Sequence, residues 1–463
     1  MKKLLIGIVL VLLTVSAFVI RLENFRRADS SAIDEVVFFR MALQMTRDLS
    51  AYHTMPYGKD LAATGRELPQ YFFDPIFKHP PVFTLLATAS MRIFGPTMLS
   101  VEYVSLASAV LMIPLVYWLS AMVFGRIAGL LSAFLLWLDP VHIITSQKAW
   151  MDSTVSFFPL LAAALFVYGL KNNRDLYFIL SGIAGGLAVN TKYTGALITV
   201  VFILFALLYR RDLFKRPAFN ISLLLPFFLL LPWFFWNCQV YGWKILSRDN
   251  DINDTGYLLT LLGDFRLWGG GLVVVLGTIL FLRLRRSGYE PSIPKTLPFA
   301  NIFLFVAFAV IFLQQAIMHS LQFTYLPKTS WAQGLFSGEP TWFYFERLIE
   351  YSFFYFFAFA ALFIHDETVP HEAAVLRLSA GLFMVFFIAW GNYQSRYIFP
   401  AVPFLLILAA AMIQKIYSKL SSFDGFLPRT TSVFLFLLFI GYAVLKITYI
   451  NEHVSFPHDF CYY

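Results

Sequence analysis

Two adjacent carboxylates, Asp34 and Glu35, stand shortly after the first apolar run of a chain that is otherwise almost wholly apolar. Ionised groups beside a bilayer are costly and call for a reason. The pair lies in a polar stretch of roughly 75 residues, the longest in the sequence, which closes on Lys78-His79-Pro80-Pro81 ahead of the next long apolar run. Arg40 follows the pair a turn or two later, and Asp152, Lys192 and Arg396-Tyr397 occupy short polar turns downstream. A carboxylate among cations and aromatic rings facing one compartment can act as a general base beside a bound anion. Each group also has a plainer reading. Asp34-Glu35 can be a helix cap with an acidic neighbour, favoured by the helix dipole. Lys78 and His79 can be interfacial side chains reaching the headgroups, with Pro80-Pro81 opening a membrane helix. The lone cations can simply solvate lipid headgroups, and Asp152 can be a bare loop carboxylate.

The elements that must position these residues follow from composition. Hydrophobic residues make up 59% of the chain and charged ones 13%, against about 25% charged in soluble proteins, and the mean hydropathy is +0.70. That describes a polytopic integral membrane protein. Its 52 Phe, 23 Tyr and 10 Trp suit a lipid-facing surface with aromatic belts. The net charge of +8 is scattered over loops rather than gathered on a polar domain, so it speaks for topology and not for a nucleic-acid partner. No fixed-period repeat or heptad array is present, which excludes a solenoid or coiled coil. Cys238 and Cys461 belong to no metal pattern; both are expected on the outer side, where pairing is an open question.

Apolar runs long enough to span, or nearly so, lie at about 4–20, 99–119, 127–144, 153–170, 176–190, 193–209, 219–236, 267–282, 299–317, 349–364, 378–390, 396–414 and 431–449. The expected fold is therefore all-α, a single transmembrane helical bundle of about thirteen helices. The first run is read as a retained helix rather than a cleaved leader. Basic residues orient the bundle: with the N-terminus cytoplasmic, Arg210, Arg211, Lys215, Arg216, Arg283, Arg285, Arg286 and Lys295 all fall inside. That requires 176–209 to cross twice, with Asn190-Thr191-Lys192 as the polar break. The outer side then holds a large loop, 21–98, loops near 237–266 and 318–347, and a short tail, 451–463, while 99–450 carries the remaining helices. Residues 33–49 are amphipathic and suit a helix lying on the membrane surface with Asp34 and Glu35 at its N-terminal end.

The order of these features resembles the GT-C superfamily of membrane glycosyltransferases, nearest to protein O-mannosyltransferases and lipid A aminoarabinose transferases. The resemblance rests on an N-terminal helix, Asp34-Glu35, His79-Pro80-Pro81-Val82 and Phe94-Gly95, then Phe124-Gly125-Arg126 with Ala128-Gly129, Asp152, Gly186-Leu187, Thr191-Lys192-Tyr193 and Arg396-Tyr397 with Pro400 and Pro403. The compact chain is similar to the minimal prokaryotic form. It implies a GT-C type fold in a prokaryotic inner membrane, with the active site on the outer face. The implied reaction moves a sugar from a polyprenyl-phosphate donor to a lipid, glycan or protein acceptor by inverting single displacement. Asp34 is the implied base, with Glu35 orienting it or the acceptor. Arg396 is the first choice for the donor phosphate, because a guanidinium pairs with phosphate oxygens. Arg40, Lys78, His79, Lys192 and Tyr397 follow, and Asp152 would bind acceptor or sugar. Asp34, Glu35, Asp74 and His79 match no metal signature, so no cofactor is expected, with a divalent metal as the exception. The competing class is a transporter or lipid flippase, which would use as many helices but place its ionisable groups near the midplane.

Overall fold

A computed structural model describes residues 2–25, 33–63, 65, 72–242, 301–309, 342–363, 370–390, 393–421 and scattered positions over 430–448. The expected crossing at 267–282, the basic loop of Arg283 to Lys295, most of the two later outer loops and the tail with Cys461 lie outside the described residues.

Among the described residues there are helices and turns and no strand. In chain order the helices are α1 (Lys2–Phe25), α2 (Ile33–Arg47), α3 (Met55–Ala62), α4 (Val82–Phe94), α5 (Met98–Phe124), α6 (Arg126–Leu138), α7 (Pro140–Ser146), α8 (Asp152–Asn172), α9 (Asp175–Thr191), α10 (Leu197–Tyr209) and α11 (Pro217–Tyr241). Then come α12 (Phe343–Tyr351), α13 (Phe354–Phe363), α14 (Ala373–Trp390) and α15 (Val402–Ser421). Among the described residues five helical stretches are long and apolar enough to cross a membrane, or six when the bent pair α6 and α7 counts as one. The protein is an integral membrane helical bundle.

Local chemistry sets the ends of the helices. The Thr97 hydroxyl caps α5 by accepting from the Ser100 amide at 3.3 Å. Gly125 ends it at φ 95°, in the region that favours glycine, so that α6 starts at the next residue. The run expected as one crossing, 127–144, is broken: α6 and α7 meet at 57°. Asp139 caps α7, its carboxylate accepting from the His142 amide at 2.9 Å, and Pro140 fits the first turn. Tyr355 donates to the other Asp139 oxygen at 2.6 Å. A break inside a bilayer leaves backbone carbonyls without partners, and these must be satisfied from within the protein. Arg21 of α1 does this, reaching the Trp137 carbonyl at 3.3 Å, Ser146 Oγ at 3.0 Å and His142 Nδ1 at 2.7 Å. His142 Nε2 donates to the Ala109 carbonyl at 3.0 Å, which leaves Nδ1 as the acceptor for the guanidinium. The expected crossing at 349–364 is also interrupted, at Ser352 between α12 and α13.

Residues 176–209 form two helices, α9 and α10, rather than one. Beyond Lys192 a 3₁₀ turn, Tyr193–Ala196, folds the chain back so that Gly195 sits against Ala188 and Gly185 against Ile198. α9 also packs α11 through small residues at helical spacing: Gly182 faces Ser222, Gly185 lies at the seam against Pro226, and Gly186 faces Leu229. Small residues let membrane helices approach closely where no hydrophobic effect drives them together.

The amphipathic stretch forms α2, but its apolar face is not laid on lipid. Phe38 packs edge-on against Phe77 and Phe83, at 5.8 and 5.0 Å between centroids. Val37, Met41, Ala42 and Met45 are buried in the same cluster, against α4. Arg92 of α4 closes the far end of α2 by donating to the Thr46 carbonyl at 3.1 Å. This docking fixes the direction in which the first turn of α2 presents its carboxylates.

Candidate active site

Four segments far apart in sequence converge around Arg396. The chain turns at 394–397, with the Tyr397 amide bonded to the Gln394 carbonyl at 3.0 Å, and continues through a 3₁₀ turn, Phe399–Ala401, into α15. Arg396 therefore lies ahead of the helix the sequence suggested it would begin. Its Nε donates to Gln394 Oε1 at 2.9 Å, and its Nη2 donates to Asp34 Oδ2 at 2.6 Å. Its guanidinium carbon stands 4.5 Å from the centre of the Trp150 ring and 5.1 Å from that of Tyr397. Trp150 is fully buried, and its carbonyl is held by Ser105 Oγ of α5 at 2.7 Å. The Arg396 side chain is 4% exposed and that of Asp34 30%, so the guanidinium is buried while its carboxylate partner reaches the surface.

Burial pushes the Asp34 carboxyl up, but Arg396, with Lys78 and His79, more than offsets it and leaves the group below the ordinary aspartate value. Asp34 is thus ionised at neutral pH. Lys78 and His79 share its surroundings. The loop that carries them is pinned by the Tyr52 hydroxyl, which donates to the His79 carbonyl at 2.9 Å and to that of Pro80 at 3.3 Å.

A second ion pair joins Lys192 and Asp152 at 3.2 Å, with Lys192 Nζ 4.5 Å from the centre of the Tyr397 ring. Tyr397 so touches the cation of both pairs and stacks on Phe387. Burial pushes its phenol up to about 12; Arg396 and Lys78 oppose the shift, and Asp34 and Asp152 add to it. The phenol stays protonated and can donate a hydrogen bond. Asp152, expected to meet acceptor or sugar, is only 3% exposed and is bound to Lys192.

Glu35 points the other way. It shares the inward face of α2 with Phe38 and Ala42, three and seven residues on. Its Oε1 accepts from the Ala149 amide at 3.0 Å, and its Oε2 lies 3.9 Å from Lys148. At 1% exposure it holds the segment that carries Trp150 rather than facing a substrate. Arg40 is also outside the group: it is exposed and lies 6.0 Å from the ring of Tyr57. Among the described residues no three His, Cys, Asp or Glu side chains converge as a metal site would require.

Sequence reasoning missed Trp150, Gln394 and Lys148. Gln394 and Trp150 each stand two residues before a charge that was singled out, Arg396 and Asp152, which is the only signal they gave. The assembled arrangement offers an ionised carboxylate at an outer edge, a guanidinium behind it, an ammonium and a phenol beside it, and aromatic walls. It can take a proton from a hydroxyl and hold an anion within the same few ångströms.

Comparison with known proteins bears on the fold and on what the chain is similar to. Residues 78–236 match the family described as dolichyl-phosphate-mannose-protein mannosyltransferase. A protein of Aquifex aeolicus (strain VF5) is 27% identical over 264 residues, 56% of this chain and 60% of its own length. The "Putative mannosyltransferase YkcB" of Bacillus subtilis (strain 168) is 26% identical over 143 residues, 31% of this chain and 20% of its own length. Among solved structures, the oligosaccharyltransferase of Archaeoglobus fulgidus, tethered to an acceptor peptide, superposes with a TM-score of 0.61 at 16% identity, over 98% of this chain and 56% of that one. The same enzyme with an inhibitory peptide and a dolichol-phosphate gives 0.51 over the same shares at 16% identity. The fold is the GT-C type that the sequence motifs implied, and the chain spans little more than half the length of that enzyme.

Proposed function

We propose that this protein is a glycosyltransferase that moves a sugar from a polyprenyl-phosphate donor to an acceptor hydroxyl at the outer face of a prokaryotic inner membrane. The observation that carries the reading is the contact of Asp34 with Arg396 at 2.6 Å, a base and an anion-binding cation brought together across 362 residues. The match to a family named for a dolichyl-phosphate-sugar donor, and a neighbour of the same fold that binds a dolichol-phosphate, support the donor class.

In the reaction the acceptor oxygen attacks C1 of the sugar, its proton passes to Asp34, and the C1–O bond breaks with its electron pair leaving on the polyprenyl phosphate. One displacement inverts the configuration at C1. The departing phosphate leaves as an anion and needs no proton, so the site must supply fixed positive charge instead. Arg396 would supply it, with Lys78, whose charge also acts on Asp34 and Tyr397, and with Tyr397 as a neutral donor. Lys192 acts on Tyr397 and Asp152. The step needs no divalent metal, and chelation with EDTA is expected to leave the rate unchanged.

The test is transfer of labelled sugar from synthetic polyprenyl-phosphate sugars by the purified protein and by Asp34→Asn at matched expression. Turnover that collapses in the variant, with an inverted product anomer, is expected. Unchanged turnover in the variant would remove Asp34 as the base. A second reading draws on the broken helix α6–α7 and the buried Arg21, Asp139 and His142 around it, since broken helices with ionisable groups are where transporters hold substrates. Lipid or solute movement across vesicles, without transfer from any donor, would favour it.

A further inference from the structure

The geometry raises a question of access. On the reading above Arg396 holds the donor's phosphate, yet its side chain is 4% exposed and already paired with the carboxylate of Asp34, which is 30% exposed. The guanidinium is also anchored. Gln394 Oε1 fixes Nε, and the rings of Trp150 and Tyr397 lie at 4.5 and 5.1 Å, so Arg396 cannot swing out to meet a ligand without losing all three contacts. Asp34 is the more exposed of the two partners. It sits in the first turn of α2, and the charges of Lys78 and His79 act on it as well as that of Arg396.

We propose that Arg396 passes from one anion to another: the donor's phosphate displaces the Asp34 carboxylate from Nη2, and that displacement is what releases the base. This rests on the transfer reaction proposed above and adds an order to it. The guanidinium has other N–H groups, but packing a second anion beside an intact pair would set like charges against each other in a poorly solvated site. A carboxylate that has lost its guanidinium and gained a phosphate neighbour holds a proton more strongly than one still paired. The donor therefore converts Asp34 from a structural anion into a better base at the moment an acceptor can be used. The coupling between phosphate and carboxylate is reciprocal, as linkage demands.

The direction of one mutational effect separates this from an ordinary binding site. Binding of a synthetic polyprenyl monophosphate to the full chain in lipid nanodiscs would be compared with binding of the same polyprenol lacking the phosphate. Asp34→Asn keeps the shape but removes the charge that competes for Arg396, so it is expected to bind the phosphate lipid about tenfold more tightly, within the usual range of coupling factors. Its affinity for the polyprenol should not change. Arg396→Met is expected to lose the preference for phosphate, and the double variant should be no tighter than Arg396→Met alone. Should Asp34→Asn lose its fold, Asp34→Ser makes the same deletion of charge. If the carboxylate variant binds phosphate no more tightly than the intact protein while Arg396→Met weakens it, the handover is overturned and the transfer reading stands. If the intact protein does not distinguish the phosphate lipid from the polyprenol, the transfer reading itself falls.

Discussion

The proton chemistry of the site turns on which anion Arg396 holds. Paired with the guanidinium, the Asp34 carboxyl lies below its ordinary value of 3.8, so it is charged at neutral pH and titrates only in acid. A base is active above its pKa and lost as pH falls through it. The acid limb of kcat/KM, which reports the free enzyme, should therefore lie below the usual carboxylate range. The limb of kcat reports the loaded enzyme and should lie higher if the donor has taken Arg396. The same depressed value makes the pair a source of stability that is complete above the unfolded pKa and lost as pH falls through the folded one. Asp34→Asn should cost about 10²–10⁴ in transfer rate, the usual worth of a positioned base. Glu35 calls for a different variant. Glu35→Gln retains an acceptor for the Ala149 amide but loses the charge facing Lys148, whereas Glu35→Ala loses both. Thermal unfolding should show a graded loss, with the alanine variant less stable by about 1–3 kcal/mol, the penalty for stranding a buried donor. If Glu35→Gln stopped transfer while leaving the unfolding midpoint untouched, Glu35 would belong with the reacting groups after all.

At the scale of elements, the break between α6 and α7 sets where the site's central segment begins, because α7 leads directly into Lys148, Trp150 and Asp152. Arg21→Met should withdraw partners from the Trp137 carbonyl, Ser146 and His142 together, at a cost of about 3 kcal/mol or more in unfolding free energy. Arg21→Lys should recover only part of it, since an ammonium cannot span the same acceptors in one plane. The interface of α9 with α11 can be graded in the same way. A Cβ on Gly182 would come within 2.5 Å of the Ser222 carbonyl, while one on Gly185 would meet Pro226 at 3.3 Å. Gly182→Ala should thus destabilise by about 1–3 kcal/mol and Gly185→Ala by less. Equal midpoints for the two would mean that the helices shift enough to relieve the closer contact. The helices themselves were legible because apolar length and polar breaks are written locally, as at Asn190-Thr191-Lys192. The break at Asp139-Pro140 carried a signal that went unused: a capping residue and a proline inside an apolar run, with an arginine near the end of α1 to answer it. The burial of α2 was not legible, since an amphipathic helix covers its apolar face on protein or lipid with the same pattern.

For the whole molecule, sequence could nominate Asp152, Lys192 and Arg396 from charges stranded in short turns and Asp34 from the long polar stretch after the first helix, but not their pairing. A pairing across 362 residues is decided by how the bundle closes. The orientation of that bundle is a separate inference, drawn from basic loops that lipid asymmetry favours on the cytoplasmic side. It decides which pool of donor and acceptor the site can reach. Asp60 in α3 and Asn172 at the end of α8 are both exposed and belong to opposite sides under the basic-residue assignment. With Cys238 and Cys461 changed to serine, Asp60→Cys should react with a membrane-impermeant maleimide in intact cells, and Asn172→Cys only after lysis. The reverse pattern would turn Asp34 and Arg396 to the cytoplasm. The transfer proposed above would then draw on donors as they are made rather than after they cross the membrane, and the acceptor would have to be a cytoplasmic molecule. Labelling of both sites in intact cells would instead mean that an odd number of crossings does not separate α3 from the end of α8, and the double crossing that follows at 176–209 would no longer place Lys192 by topology alone.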